Sequence, residues 1–185
     1  MYTVKSRLLF ALALIVGLGS IASLPVHAQE SPTLTDDHIT RIQTNCQPVI
    51  ATLNQIHAID TPVYINRNQA YFSISDKLIA RLNSRLALNS FDTTPLVKIA
   101  NEYNNELAEF RVVYRQYDTA MADLVKKNCI RQPVSFYETI GDVRKQRDTV
   151  HSSINRLHVL IEQYRDAVNT FESENAAKLR AGKND

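Results

Sequence analysis

The chain contains no tryptophan and only four glycines in 185 residues. Glycine-rich turns punctuate β folds, so this scarcity favours long helices. Glycine-rich phosphate loops, G-x-S-x-G elbows and His-Glu-x-x-His motifs are missing as well. We therefore predict an all-α protein that is not an enzyme, with no catalytic, cofactor-binding or metal-binding residue.

Long apolar runs are equally scarce, and only residues 8–24 form one. Lys5 and Arg7 precede this run, and the small-residue pattern Val26-His27-Ala28 follows it. This order is typical of a signal peptide that is cleaved between Ala28 and Gln29.

The alternative interpretation of the N-terminus is an uncleaved membrane anchor. A membrane-spanning helix needs about 20 apolar residues, whereas this run is shorter and is interrupted by glycine and serine. We therefore predict a signal peptide over residues 1–28 and a secreted, extracytoplasmic protein.

The net charge of the chain is close to zero. There are 21 Lys and Arg residues against 19 Asp and Glu residues, and removal of Lys5 and Arg7 with the signal peptide makes the two numbers equal. A protein that binds nucleic acid through its phosphates carries a basic excess. We predict no nucleic-acid partner and, after signal cleavage, no membrane association.

Only two cysteines, Cys46 and Cys129, are present, and neither belongs to a C-x-x-C motif or a Cys/His cluster. In an exported chain such a pair is most simply one disulfide within the molecule. The alternatives are a bond between two copies of the chain, or two free thiols.

In the second half of the chain, apolar residues recur at alternating spacings of four and three. In residues 94–127 they are Leu96, Ala100, Tyr103, Leu107, Phe110, Tyr114, Tyr117, Met121 and Leu124. In residues 134–172 they are Phe136, Ile140, Val143, Val150, Ile154, Leu157, Ile161, Tyr164, Val168 and Phe171. The pattern predicts two coiled-coil helices. Arg147 is the one polar residue in the second pattern, and we expect its guanidinium to reach water.

The first half of the chain has an apolar pattern whose phase changes. The first phase comprises Ile39, Ile42, Cys46, Val49, Leu53 and Ile56, and the second comprises Ile65, Phe72, Ile79 and Leu86. Extending the first phase would bury Arg67 and Lys77. Since Pro62 lies at the transition and proline interrupts helices, we predict helices over 36–59 and 62–89 with a kink between them. Asp60 or Thr61 is expected to cap the second of these helices.

Short connections between the predicted helices indicate antiparallel neighbours. Residues 29–178 are thus predicted to form a bundle of three long helices running up-down-up, the first of them kinked, followed by a disordered tail over 179–185. A turn near residues 91–92 would leave Cys129 about 12 Å from Cys46. We expect the kink and an extended segment near 128–131 to close that gap.

One face of the last predicted helix is polar and carries Asp148, His151, Asn155, His158 and Glu162. His158 and Glu162 are four residues apart and could contact one ion. His151 and His158, however, lie two turns or about 10 Å apart, which is too far to share a zinc ion. We interpret this face as solvated rather than metal-binding, and the tyrosines at apolar positions as core residues rather than an aromatic binding face.

Four features occur together: a signal peptide, a cysteine early in a long first helix, the turn Phe91-Asp92-Thr93-Thr94, and a second cysteine before the last helix. This arrangement resembles the uncharacterised secreted helical proteins of candidate-phyla-radiation (Saccharibacteria-like) bacteria. The resemblance implies a secreted all-helical protein and no particular activity or site residue. The segment Leu34-Thr35-Asp36-Asp37 also resembles the LTxxQ element of Spy-like periplasmic chaperones, although His38 follows it and the nearest long residue after His38 is Arg41 rather than a glutamine.

Two function classes follow from these features. The first is a non-catalytic cell-envelope or extracellular protein with an interaction or structural role, which contacts a protein partner or a second copy of itself through helix faces. The alternative is an extracytoplasmic chaperone of the Skp or Spy kind. Skp-like proteins are usually basic, whereas the charge of this chain after signal cleavage is balanced.

Overall fold

The structure, a computed structural model, describes residues 34–181. Helix accounts for 89% of these residues, and no strand occurs among them. The prediction of an all-α protein is therefore confirmed. The predicted signal peptide, its cleavage site after Ala28 and the last four residues of the predicted tail lie outside the described part of the chain.

The helices follow one another with short connections. They are α1 (Asp36–Thr44), α2 (Cys46–Ser73), a π-helix (Ile74–Ile79), α3 (Ala80–Leu88), α4 (Thr94–Leu124) and α5 (Pro133–Ala181). Helix α1 begins at a capping box, in which the Thr35 hydroxyl accepts from the His38 backbone and the His38 ring accepts from the Thr35 backbone. None of the helices between residues 34 and 181 is both long and apolar enough to cross a membrane.

The predicted helix boundary near Pro62 is wrong, because α2 continues through this residue. Proline removes one helical hydrogen bond, but Asp60 and Tyr64, two residues before and two residues after it, are buried, and this packing offsets the loss. The interruption lies at Asn45 instead. Its side-chain amide and its backbone N–H both donate to the Arg41 carbonyl, at 2.8 Å and 3.1 Å, and Pro48, three residues later, has no N–H to continue the backbone ladder.

The second apolar phase is wrong for Ile65 and Phe72, whose side chains are about half exposed. It is confirmed for Ile79, which is buried, and Leu86 is partly buried. The buried residues at the level of Ile65 and Phe72 are their neighbours Tyr64 and Tyr71, each one residue beyond the positions of the first phase, Val63 and Ala70, which are exposed. Arg67, which that phase places inward, is only partly buried.

The phase changes in the π-helix. A π-turn holds one residue more than an α-turn, so it moves the inward position forward by one residue. Seven residues beyond Tyr71 stands Leu78, which is 63% exposed, whereas the following residue, Ile79, is 4% exposed. Lys77, which the first phase would bury, is exposed.

Helices α4 and α5 contain the apolar residues that the spacing predicts as core. Of the nine in α4, all but Tyr114 are buried, and none of those in α5 is exposed. Helix α4 ends at Leu124, three residues before its predicted end. Helix α5 runs on to Ala181, beyond residue 172, because the residues after the apolar pattern are mainly good helix formers such as Glu, Ala, Lys and Leu.

Side-chain hydrogen bonds show how the helices face one another. Between the first arm (residues 36–88) and α4, they join His57 to Asp118, Asp60 to Tyr117, Asn68 to Arg111 and Ser75 to Asn104. Between the first arm and α5, they join Asp60 to Arg147, Tyr71 to His158 and Asn83 to Tyr164. As the residue numbers of the first arm rise, those of their partners in α4 fall. The numbers of the partners in α5 rise together with those of the first arm.

Candidate functional site

At one end of the described helices, Cys46 is joined to Cys129 by a disulfide, with the Cα atoms 5.6 Å apart and both residues buried. Eleven residues separate Cys46 from His57, and eleven separate Asp118 from Cys129. The His57–Asp118 hydrogen bond and the disulfide therefore join the same two stretches of the chain. The expected gap of about 12 Å is absent, and the residues between α4 and α5 that include Cys129 are not helical.

A buried ion pair lies further along α2. The Asp60 carboxylate is 7% exposed and accepts two hydrogen bonds from Arg147, from Nε at 2.9 Å and from Nη2 at 3.1 Å. The Tyr117 hydroxyl donates a third, at 2.6 Å. Asp60 is thus neither the cap of a new helix nor exposed, and the Arg147 guanidinium binds it. The prediction that Asp60 caps a new helix is wrong, whereas the Arg147 side chain is 42% exposed and so reaches water as well as binding Asp60.

The environment of Asp60 holds the pair in its charged form. Burial raises the pKa of Asp60, but the hydrogen bonds from Arg147 and Tyr117 outweigh it, so the pKa lies below its ordinary value. The hydrogen bond to Asp60 raises the pKa of Arg147, and burial together with Asp60 raises the pKa of Tyr117. At neutral pH these groups form a satisfied network with no proton readily exchanged, which indicates a structural role.

The polar side chains that were predicted to share one face of α5 contact different partners. His158 Nε2 lies 2.9 Å from the Tyr71 hydroxyl, while Glu162 forms an ion pair with Arg165. His57 Nε2 lies 2.9 Å from a carboxylate oxygen of Asp118. Within residues 34–181 no group of three or more His, Cys, Asp or Glu side chains is arranged to hold a metal ion.

Between the disulfide and the ion pair, an apolar cleft of about 530 Å³ opens where α2, α4 and α5 meet. Its apolar lining comprises Pro48, Val49, Leu53 and Ile56 of α2, Met121 and Leu124 of α4, and Ile140 and Val143 of α5. Asn45, Thr52, Arg144 and Arg147 complete the lining. We call this site the α2–α5 cleft.

The ends of the α2–α5 cleft lie close to the two features described above. Cys46 is one helical turn before Val49, and Asp60 is one turn after Ile56. The lining residues of α2 extend from Pro48 to Ile56, a rise of about 12 Å. The disulfide and the ion pair therefore hold α2 and its neighbours together on both sides of the opening.

Sequence reasoning placed the cysteines and the apolar residues of the cleft, but missed the ion pair and the cleft itself. A signal for the ion pair was present, because Asp60 follows Ile56 by four residues and so falls at an inward position of the first phase. Arg147 is the one polar residue at an inward position of α5. Two opposite charges at inward positions of different helices indicate a pair.

Comparison with known proteins adds no relative: no protein-family model matches the chain, and neither a curated protein nor a solved structure is detectably similar to it.

Proposed function

We propose that this chain is an exported, non-catalytic binding protein built as an up-down-up bundle of three long, coiled-coil-like helical arms. The arms are residues 36–88, α4 and α5. The order of the hydrogen bonds supports this arrangement, because α4 pairs with the first arm in reverse chain order while α5 pairs with it in the same order.

An extracytoplasmic location is part of the proposal. Structural disulfides persist in oxidising compartments and are rare in the cytosol, and Cys46 and Cys129 are bonded here. The predicted signal peptide, residues 1–28, leads to the same compartment.

The observation that carries the binding function is the α2–α5 cleft. Its volume of about 530 Å³ falls within the range of roughly 300–1,000 Å³ that is usual for small-molecule sites. Aliphatic side chains from three helices line it, and the nearby Asp60 carboxylate is already satisfied by Arg147 and Tyr117. Such a surface offers apolar contact rather than acid–base chemistry.

The proposal can be tested with Nile red, an uncharged dye that fluoresces in apolar surroundings. We expect saturable binding to the purified protein. Thr52→Trp places a large side chain at the mouth of the cleft, since Thr52 is exposed and belongs to its lining. This variant should lower the affinity by about tenfold, which corresponds to the loss of ~1.4 kcal/mol of apolar contact.

The matched control is Gln55→Trp, because Gln55 is also exposed on α2 but does not line the cleft. It should leave the affinity within about twofold of the original, and circular dichroism should show that both variants remain helical. Absence of saturable binding, or an equal loss in both variants, would contradict a binding role for the cleft.

A chaperone of the Skp or Spy kind is the second candidate, favoured by the large apolar side chains on the described surface. Among those more than half exposed are Ile59, Leu78, Leu88, Ile130 and Val159. A holdase that uses such scattered contacts should suppress aggregation of an unfolded client equally well in the original protein and in Thr52→Trp. Loss of suppression in Thr52→Trp alone would favour the cleft. Self-association through helix faces stays a prediction.

A further inference from the structure

The mouth of the α2–α5 cleft carries a cation that has no partner. Arg144 lines the cleft and is exposed, and it makes no hydrogen bond or ion pair within the described residues. Arg147, the other cation of the lining, is bound to Asp60. The acidic residue one turn further along α5, Asp148, forms no ion pair with Arg144. The charge at this mouth is therefore available to an anionic group.

The dimensions of the cleft suit one hydrocarbon chain. An acyl chain spans half of a bilayer core that is about 30 Å thick, or about 15 Å. The α2 wall of the cleft rises about 12 Å, which is most of that length. Aliphatic walls formed by Val49, Leu53 and Ile56 match an acyl chain in chemistry as well.

We propose that the α2–α5 cleft binds a single-chain anionic amphiphile, with its acyl chain along the aliphatic walls and its acidic head group on Arg144. This inference rests on the proposed function, because it assigns a ligand class to the same cleft. A fatty acid and a lysophospholipid share this chemistry, one with a carboxylate and the other with a phosphate. Arg144 supplies several N–H donors that suit either group.

The experiment measures displacement of Nile red by hexadecanoate and by hexadecanol, which has the same chain without the charge, at concentrations below micelle formation. We expect hexadecanoate to bind about fivefold more tightly, as an ion pair near the surface allows. Arg144→Gln should abolish this preference. Because Arg144 is exposed and unpaired, its replacement is not expected to disturb folding.

Lys145→Gln is the matched control, since it removes the same charge from the next residue, which is exposed and lies outside the cleft. The preference for the acid should persist in this variant. A third competitor, a lysophosphatidate of the same chain length, assigns the head group: tighter binding than hexadecanoate that depends on Arg144 indicates a phosphate, and weaker binding indicates a carboxylate.

Equal affinity for the acid and the alcohol in the original protein would overturn the inference, as would an equal loss in Lys145→Gln and Arg144→Gln. In either case, saturable Nile red binding that Thr52→Trp weakens would leave the proposed function standing. If Nile red does not bind in the first place, the proposed function fails together with the inference.

Discussion

Asp60 and Arg147 are each unfavourable at an inward position, and they compensate one another. A carboxylate that is 7% exposed has lost most of its hydration, which three hydrogen bonds from Arg147 and Tyr117 replace. Removal of one partner from a fully buried pair costs about 3–5 kcal/mol. The Arg147 side chain is 42% exposed, so water can partly replace it and the cost should be smaller.

We predict that Arg147→Met lowers the free energy of unfolding by about 2–3 kcal/mol, because Asp60 loses its charged donors and stays buried. The double variant Asp60→Leu with Arg147→Met should recover to within about 1 kcal/mol of the original protein, since no charge then remains without a partner. Urea unfolding followed by circular dichroism measures both values.

A surface arginine provides the control for this prediction. Arg165→Met removes ion pairs with Glu162 and Asp166 that are well exposed, and it should change the free energy of unfolding by less than about 1 kcal/mol. A double variant as unstable as Arg147→Met alone would show that the buried charge is not the source of the loss.

At the scale of elements, the π-helix Ile74–Ile79 reconciles two apolar phases within one arm. The phase that buries Tyr64 and Tyr71 would next bury Leu78, whereas the π-turn brings Ile79 inward instead. The π-helix therefore contains one residue more than a regular α-helix would need to keep Tyr71 and Ile79 on the same face.

We predict that deletion of Lys77, an exposed residue of the π-helix, converts this segment into regular α-helix and keeps Tyr71 and Ile79 on one face. The variant should unfold cooperatively, with a loss of less than about 2 kcal/mol. Deletion of Arg115, an exposed residue within the regular helix α4, should be far more harmful because it rotates Tyr117 and Met121 out of the core by about 100°.

Thermal unfolding monitored by circular dichroism distinguishes the two deletions. Equal damage from both would mean that the π-turn has a role beyond the register of the first arm, such as a fixed contact between Ser75 and Asn104.

At the scale of the whole described molecule, the disulfide determines how firmly the end that carries α1 is held. Helix α1 has nine residues and no buried side chain, and so short a helix is marginal on its own. Besides the disulfide at Cys46, a hydrogen bond from Gln43 to the Ile130 carbonyl at 2.9 Å ties it to the α4–α5 connection. Stability at this end therefore depends on contacts distant in sequence.

We predict that Cys46→Ser with Cys129→Ser lowers the free energy of unfolding by about 4–5 kcal/mol, because the bond closes a loop of 83 residues. Hydrogen exchange should lose protection first over residues 36–59, while residues 100–124 and 140–168 keep theirs through the α4–α5 core. Reduction of the original protein should have the same effect.

Non-reducing electrophoresis supplies the control, because the oxidised protein should migrate as a monomer and shift on reduction. A covalent dimer would show that the bond joins two copies of the chain. Uniform loss of protection along every helix would show instead that the described helices unfold as one cooperative unit.

The sequence by itself determined the elements whose signal is local. Between Leu96 and Leu124 the spacing of apolar residues predicted what is buried, because side chains on one face of a helix share one environment whatever their neighbours are. The all-α class and the helix over most of residues 94–124 and 133–172 follow from the same periodicity.

Only the tertiary structure decided the course of the first arm and the existence of the cleft. The helix passes Pro62 and adopts a π-turn at residues 74–79 because contacts with α4 and α5, distant in sequence, offset the local cost. The charge of Asp60 is tolerated only beside Arg147, 87 residues away. The α2–α5 cleft depends on the separation of three helices, a quantity that no local pattern contains.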